Sequence, residues 1–583
     1  MRGRLELYGE KSGMRPQDVT IVVLGAGING AAIARECALS GVSVVVADAA
    51  DVASGATSWS TRLVHGGLRY LEYGEIDLVR ESLAERDRLI RVAPHLVKPL
   101  KFLLPLKRSR GGLLASAARI VGFEKLAKSL QGDGGRGAWA VRAGLSLYDV
   151  LSTDSKWPRH SVVRDLAHWP GIDRSIFPIA MSYVDAQMVA PERFTIELLS
   201  DARSACASHG SRFELWNHHL ARLEGNRVIL EPTASLGIQS RSQRKEVRAD
   251  AVINATGAWV DRTLETLPLQ SPLLIGGTKG SHLVLRSQEL YEALQGCGIY
   301  AEALDDRPVF VLPFLNGLTL VGTTDVPFSG DPTEAKADDD EIAYLLSAVA
   351  RLFPRIALGR ESLEQHYCGV RPLPSGRQSI NGKLLAPASV TRRHMLIRHQ
   401  NAPLPCWSVV GGKLTTCRSL GEQAASKILK TLGVAVTGCS RDRPLPGAQG
   451  LTGDQGVWQA EEFLVRKTGL SRVAAGRMIG LYGSQAIDRM GNHPFQLCKM
   501  IDGTTLPLST VSHALNQEWA HTLEDVVERR LLLLFEPVLH RKSLLSVANE
   551  MVSIGRLAEE SLEQTVNALT QRFLRRYGKR VIV

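Results

Sequence analysis

Residues 20–48 constrain this chain more than any other stretch. Thr20-Ile21-Val22-Val23-Leu24 is a short apolar, β-branched run, and Gly25-Ala26-Gly27-Ile28-Asn29-Gly30 follows it. Ala31 to Leu39 then reads as a helix, and Val42 to Ala47 as a second buried strand ending in Asp48. Strand, G-x-G-x-x-G, helix, strand, acid is the order of a βαβ unit that binds a dinucleotide. Gly25, Gly27 and Gly30 permit a tight turn and close approach of backbone to a pyrophosphate, and Asn29 lies within the same turn. The helix start adds free N–H groups and the positive end of a dipole. Asp48, 18 residues after Gly30, is placed to accept hydrogen bonds from a ribose hydroxyl. A glycine-rich turn in an ordinary βαβ unit is the bland alternative, and strands, helix and acid in register argue against it. This motif alone does not separate NAD from FAD.

The next stretch helps. Asp51 to Arg62 is small, polar and rich in hydroxyls. Thr57, Ser58, Ser60 and Arg62 offer donors to phosphate or ribityl oxygens but little apolar surface. Leu63-Val64-His65-Gly66-Gly67-Leu68-Arg69-Tyr70-Leu71-Glu72 follows. An NAD-binding unit would normally proceed directly to a third strand, so a long polar segment here suits a flavin laid deep in the protein.

Composition excludes other classes. The 583 residues correspond to about three domains. With 44% hydrophobic and 22% charged residues the chain is neither disordered nor fibrous. No run of about 18 apolar residues is present to span a bilayer, and the opening MRGRLELYGEKSGMRPQ lacks the apolar core of a secretory signal. The 70 Lys+Arg against 59 Asp+Glu give a net +11, spread along the chain rather than gathered in the stripe a nucleic-acid binder would show. Eight cysteines without a C-x-x-C pair, and no H-E-x-x-H, leave neither a disulfide framework nor a metal site. Reduced thiols fit the cytoplasm.

Taken together, LGAGINGAAIA and STRLVHGGLRYLE resemble the FAD-dependent glycerol-3-phosphate dehydrogenases of the aerobic type. Further blocks agree in order and spacing: Asn254-Ala255-Thr256-Gly257-Ala258-Trp259-Val260, Lys279-Gly280-Ser281-His282, Gly322-Thr323-Thr324-Asp325, Gly369-Val370-Arg371-Pro372-Leu373 and Gly411-Gly412-Lys413-Leu414-Thr415-Thr416. The resemblance runs over about residues 18–575. Ala26, Glu36, Ser40 and Cys417 depart from the family pattern, and residues 107–140 are longer than its typical form.

The resemblance implies an α/β fold: a discontinuous Rossmann-like FAD-binding domain, a mostly antiparallel substrate-capping sheet domain, and a C-terminal α-helical domain. The expected division is a basic leader at 1–17, FAD-binding segments at 18–106, 141–262 (with part of the cap) and 399–440, a basic insertion at 107–140, the cap at 263–398, a linker at 441–447 and helices over 448–583. Phe310–Pro313 and Leu318–Gly322 read as cap strands joined at Asn316-Gly317. Thr522 to Asp525 reads as a capping box that opens a helix through Val526 and Leu531 to Leu534, with further helices over Ser543–Met551 and Leu557–Tyr577.

The same resemblance implies oxidation of sn-glycerol 3-phosphate to dihydroxyacetone phosphate by FAD, with electrons passed to a membrane quinone. It places Arg69, Tyr70, Arg371 and Arg392 at the substrate phosphate, where a planar guanidinium can bond two oxygens. Lys413 is expected near the flavin as well as among the catalytic groups, and His282, assisted by Arg371, is the expected general base. His65 is the rival base, expected instead against the flavin. Thr256, Gly257, Gly67, Gly411, Gly412, Leu414 and Thr415 complete the expected cofactor contacts. The basic, partly amphipathic Lys107–Lys128 could lie in a membrane interface, which suggests peripheral attachment to the inner face of the cell membrane. Two other readings stay open, an oxidase that reduces oxygen and a flavin-binding regulator without turnover, and so does a homodimer.

Overall fold

The computed structural model describes residues 15–107, 138–152, 156–163, 171–234, 244–267, 269–303, 305, 307–375, 393–490 and 499–583. Arg392 and residues 108–137 of the basic insertion lie outside them.

The first βαβ unit forms as its pattern demands. Strand β1 (Thr20–Leu24) and strand β2 (Ser43–Ala47) pair in parallel, and helix α1 (Ile28–Leu39) crosses between them. Parallel strands are covered on both faces, which is why β2 is buried at every position. Strand Ala251–Asn254 joins β1 in parallel, Cys406–Val410 joins next, and Met395–Arg398 closes that edge antiparallel. Phe213–Trp216 lies parallel to β2 at the other edge. The flavin-type domain is therefore assembled from segments almost 400 residues apart. Every residue of α1 except Asn29 is buried. Gly421 lets helix Cys417–Thr431 approach it: a Cβ there would stand 2.8 Å from the Ala32 carbonyl.

The second sheet has ten strands. Its pairings are antiparallel except that of Gly298–Glu302 with Val97–Leu106. The expected hairpin is present as Pro308–Pro313 and Thr319–Gly322, with Asn316 and Gly317 both left-handed at the turn (φ 57° and 76°). Sheet membership departs from the expected boundaries in two places. Val97–Leu106, assigned to the first flavin segment, belongs to the capping sheet, and Met395–Arg398, assigned to the cap, is the edge of the flavin sheet. Leu63–Val64 also pairs in the capping sheet, so the hydroxyl-rich loop before it runs from one sheet to the other.

The C-terminal part is helical, with Gly453–Thr468, Arg472–Tyr482, Ser509–Gln517, Arg541–Ser553 and Leu562–Tyr577 among its elements. The Thr522/Asp525 box forms reciprocally, Thr522 N–H donating to the Asp525 carboxylate and Asp525 N–H to the Thr522 hydroxyl. The α-helix expected after it does not. Asp525–Arg530 is a π turn, Leu532 is left-handed (φ 55°), and Leu533–Phe535 is a 3₁₀ turn. Two consecutive arginines of this turn share one partner. Arg529 and Arg530 both reach the carboxylate of Asp51 in the loop after β2, at 2.5 Å and at 2.6 and 2.8 Å. Regular α-helical spacing would turn consecutive side chains about 100° apart, whereas π geometry recurs where function or packing overrides it. Arg529 also donates to Asp525 and Glu528, and His218 pairs with Asp525 at 3.0 Å. All of these side chains are buried.

Removing one partner from such a buried cluster costs about 3–5 kcal/mol, because the other charge is left without compensation. Asp51→Ala should therefore lower the thermal midpoint by several degrees and open the 448–583 region to limited proteolysis first. An unchanged midpoint and digestion pattern would refute this role for Asp51.

Candidate active site

A cavity of about 1290 Å³ lies between the flavin sheet, the capping sheet and the C-terminal helices. At one end it is floored by the turn after β1. Gly25 (φ 101°) packs so tightly on the next strand that a Cβ would lie 2.6 Å from the Ala255 carbonyl oxygen. Asp48 accepts the N–H groups of Ala26 and Ala50 at 2.7 and 2.9 Å while lining the cavity. Burial pushes its carboxyl up to about 6, against the pull of those two bonds. Thr57 lines the same region and its hydroxyl accepts the Ile28 N–H of the first helical turn. The Asn29 side-chain oxygen is buried with no hydrogen-bond partner among the described residues. Gly257 (φ 62°) also lines the cavity, and a Cβ there would meet nothing within 4 Å, so its backbone is bare.

The other end is built where the sheets meet. Gly411 and Gly412 (φ 80° and 99°) carry the chain past Asn29, so closely that a Cβ on Gly412 would stand 2.5 Å from the Asn29 amide nitrogen. Lys413 follows, its ammonium 3.8 Å from the centre of the Tyr70 ring. The Thr415 hydroxyl is cross-linked to the backbone of His65 in both directions, at 3.1 and 3.3 Å. Burial and Lys413 together push His65 down to about 3, which makes it a neutral ring. His282 projects from strand Thr278–Leu285, between Tyr367 and Gly322 on the neighbouring strands. Its ring stacks on Tyr367 (4.9 Å, 22°), and its Nε2 lies 2.9 Å from the Thr61 hydroxyl. Burial, then Arg371, then Arg62 hold its pKa well below the ordinary imidazole value.

Of the residues expected from the sequence, Gly25, Gly27, Asn29, Asp48, Thr57, Ser60, Arg62, His65, Tyr70, Thr256, Gly257, His282, Arg371, Gly411, Gly412, Lys413, Leu414 and Thr415 line this one cavity. The others are placed differently. The Ser58 hydroxyl donates to the Ala53 carbonyl and is buried away from the wall. Gly30 supports the turn from behind, where a Cβ would collide with the Gly25 carbonyl oxygen. Gly67 (φ 79°) makes room for the Tyr70 ring, 2.2 Å from where its Cβ would be. Arg69 is half-buried and does not line the cavity. Arg62 lines the cavity with its guanidinium turned inward. Its guanidinium is a fully buried fork onto Glu192 (2.6 and 2.9 Å) that also donates to the Val189 and Ser58 carbonyls, and it lies over the Phe535 ring. Arg371 is corrected in geometry. Its terminal nitrogens donate to Asp325, Thr323 and the Thr324 carbonyl at 2.9–3.0 Å, so it offers the cavity positive charge rather than a free fork.

The sequence reading missed Thr61, Trp59, Trp259 and the C-terminal wall of Glu524, Glu528, Arg529, Arg572 and Tyr577. Thr61 sat inside the hydroxyl-rich block and could have been found there; the C-terminal residues carry no motif. Glu528 is pushed up to about 7, chiefly by burial and then by Glu524. Asp51, His218 and Asp525 stand close enough to share a cation, yet Arg529 and Arg530 already hold those carboxylates.

The bare glycine backbone at both ends, the buried Asp48 carboxylate and the orphaned Asn29 oxygen fit an extended dinucleotide. Residues 20–397 match the FAD dependent oxidoreductase family. A glycerol-3-phosphate dehydrogenase of Synechocystis is 34% identical over 536 residues, covering 88% of each chain. The chain belongs to the FAD-dependent oxidoreductases, among the glycerol-3-phosphate dehydrogenases. A D-erythritol 1-phosphate dehydrogenase of Brucella abortus is 29% identical, covering 88% of this chain and 94% of its own. Among solved structures, a glycerol-3-phosphate dehydrogenase of Bacillus halodurans complexed with FAD shares the fold, with a TM-score of 0.69 at 21% identity over 96% of this chain and 95% of its own. This oxidoreductase is an FAD enzyme, and the cavity is where the chain can hold FAD.

Gly25→Ala tests the cradle. Positive φ and the 2.6 Å approach to Ala255 cannot both be kept with a side chain. The purified variant should carry far less than one FAD per chain by absorbance after denaturation, at unchanged far-ultraviolet circular dichroism. Full occupancy would contradict the tight-turn assignment.

Proposed function

We propose that this FAD-dependent oxidoreductase oxidises sn-glycerol 3-phosphate at C2 to dihydroxyacetone phosphate and passes the electrons to a membrane quinone. The observation that carries the reading is a neutral, clamped His282 lining the wall of a cavity that also presents the charges of Arg371 and Lys413. The names of the relatives supply the polyol phosphate class.

Oxidising a secondary alcohol requires loss of a proton from oxygen and a hydride from carbon. FAD, when bound, supplies the two-electron acceptor. His282 takes the proton at Nε2, the substrate hydroxyl replacing the Thr61 hydroxyl at that nitrogen. Its neutrality matters, since an imidazolium has no lone pair to offer. Arg371 and Lys413 give the phosphate end positive potential, and Tyr70 lies under the lysine. Arg69 and Arg392 are assigned to that end on sequence alone. The quinone acceptor and a peripheral seat on the membrane belong to the same proposal, supported by the net +11. Among the described residues no helix is long and apolar enough to cross a membrane.

Anaerobic mixing tests the substrate. Glycerol 3-phosphate should bleach the flavin absorbance, and plain glycerol should not. Bleaching by glycerol at a similar rate, or a much faster response to D-erythritol 1-phosphate, would overturn the assignment.

Protonation tests the base. The acidic limb of kcat/KM should fall well below pH 6.5, because burial and two cations disfavour the charged ring. Arg371→Gln removes one of those cations, so that limb should move upward in pH while KM for glycerol 3-phosphate rises. His282→Asn should lower kcat by about 100-fold or more, the size of a lost general base. A limb that stays in place in Arg371→Gln would dissociate Arg371 from His282.

A further inference from the structure

We propose that a second, smaller cavity, at the seam between helix Pro191–His209 and the C-terminal domain, binds a tetrahedral oxyanion of the size of inorganic phosphate. This site is separate from the flavin cavity and does not depend on the substrate assignment.

The cavity holds about 110 Å³. A single water needs about 10–15 Å³ of such space, so one oxyanion or a few waters would fill it. Its floor is buried and comes from both sides of the seam. Arg193 belongs to helix Pro191–His209, and Tyr482 and Glu518 belong to the C-terminal domain. Ser200 and Arg203 are half-buried and Gln517 is exposed, so the mouth is open to a small solute.

Among the described residues, three guanidiniums and two carboxylates line this space, those of Arg193, Arg203 and Arg489 against Glu197 and Glu518. Both carboxylates are spent. Glu518 gives its two oxygens to the Arg193 fork, each at 2.7 Å, and lies 3.3 Å from His513 Nε2. Glu197 meets His95 Nε2 with one oxygen at 2.7 Å and accepts the Gly447 N–H with the other at 3.0 Å. Arg193 has no donor to spare, because its Nε holds the Leu481 carbonyl at 3.0 Å.

Arg203 and Arg489 are in a different position. Among the described residues neither meets a carboxylate. Arg203 donates to the Gln517 carbonyl at 3.1 Å and lies over the Trp519 ring, and Arg489 donates to the Gln485 side-chain oxygen at 2.8 Å. Both acceptors are neutral. Burial lowers the Arg203 pKa, Glu518 opposes that shift and Arg489 adds to it, so the two guanidiniums stand close enough to repel.

Two buried polar atoms here lack a hydrogen-bond partner among the described residues, the Tyr482 hydroxyl and the Arg489 Nε. Glu518, Arg193 and Arg489 all act on the Tyr482 phenol, which locates its oxygen among the charged groups of this cavity. Burial, then Glu518, raise its pKa, so it keeps its proton and can donate. Buried polar groups are bonded to protein or to something bound. Water can satisfy both atoms, but it leaves the two guanidiniums uncompensated. A dianion answers both needs, since it brings negative charge and several acceptor oxygens to charge-assisted donors. Arg203 comes from the flavin-side helix, and Arg489 and Tyr482 from the C-terminal domain. The anion therefore joins the two beside the Arg193–Glu518 fork, and binding to the folded form stabilises it.

Equilibrium dialysis of the FAD-loaded enzyme against radiolabelled phosphate, with ionic strength held by chloride, tests the site. The parent should bind phosphate, and Arg371→Gln, which alters the flavin cavity, should keep this binding. Arg203→Gln combined with Arg489→Gln should weaken it by at least about tenfold, the scale of a lost charge-assisted bond. Tyr482→Phe removes a single oxygen atom and should weaken it by about 3- to 10-fold. If the double variant fails to fold with FAD, Tyr482→Phe decides alone. No phosphate bound by the parent would overturn the proposal. So would unchanged affinity in Tyr482→Phe and the arginine pair, loss of all binding in Arg371→Gln, or equal displacement by chloride. Glycerol 3-phosphate added to Arg371→Gln separates two sources of the anion: displacement of the label supports a phosphate ester at this site, and retention supports free phosphate.

Discussion

Two consecutive arginines converge on one buried carboxylate, and the wall of the cavity depends on that meeting. Asp51 belongs to the loop that leaves β2, immediately beyond the acid expected to hold a ribose. Arg529 and Arg530 belong to the C-terminal domain. Once they are paired, the loop can neither swing outward nor lose its charge partner, and Asn217 and His218 are drawn into the same cluster. A buried charge left alone is expensive, so the cluster persists as a unit or not at all. The π turn at Asp525–Arg530 is the backbone that carries both arginines to it. Arg193 and Glu518 make a second buried fork between the flavin-side helix Pro191–His209 and the C-terminal domain. The C-terminal domain thus becomes part of the enclosure rather than an appendage to it.

The substrate end follows a different logic. Here the backbone, not charge, sets the distances. Gly322 is bare so that His282 can lie flat, Gly412 is bare so that the chain can pass Asn29, and Gly67 is bare so that Tyr70 can turn under Lys413. Each glycine stands where a neighbouring side chain must come within van der Waals contact of backbone. The chemistry-bearing groups are then held by sheet register: His282 opposite Tyr367, Thr278 opposite Arg371. Register in an antiparallel pair cannot slip by one residue without turning every side chain to the other face. The catalytic arrangement is consequently as stable as the sheet.

This difference explains what was legible in the sequence. Local geometry leaves local signatures. The β1 turn, the hairpin at Asn316-Gly317 and the glycine-flanked Lys413 could all be read from short blocks, because their conformations need particular residues at particular offsets. Partners chosen across the fold leave none. Arg62 and Glu192 are 130 residues apart, and Asp51 and Arg529 are 478 apart. Arg62 lay in a polar block that suggested phosphate contact, and its composition could not reveal that the guanidinium turns inward. The tether of Arg371 left no local mark for the same reason, since Asp325 sits 46 residues upstream. The capping strand Val97–Leu106 was placed in the wrong sheet because an apolar strand pattern does not say which neighbour will pair with it.

The tethered cations have a consequence for how the site can work. A pocket for a phosphate ester might be expected to hold its arginines free, so that their full attraction is spent on the ligand. Here Arg371 is bound to Asp325 and Arg62 to Glu192. Each carboxylate weakens the long-range pull on an anion. Each also removes the rotamer freedom of a long side chain, so that no ordering remains to be done when the ligand arrives. Burial, aided by the fixed charge of Arg371 and Arg62, holds the His282 pKa well below the ordinary imidazole value. The same fixed charge opposes the imidazolium formed as the alcohol loses its proton. In the proposed reaction a phosphate dianion bound against Arg371 would offset that cation when His282 accepts the proton. The proposed function thus couples substrate binding and base strength through one guanidinium, so that an alcohol without the phosphate would meet a weaker base.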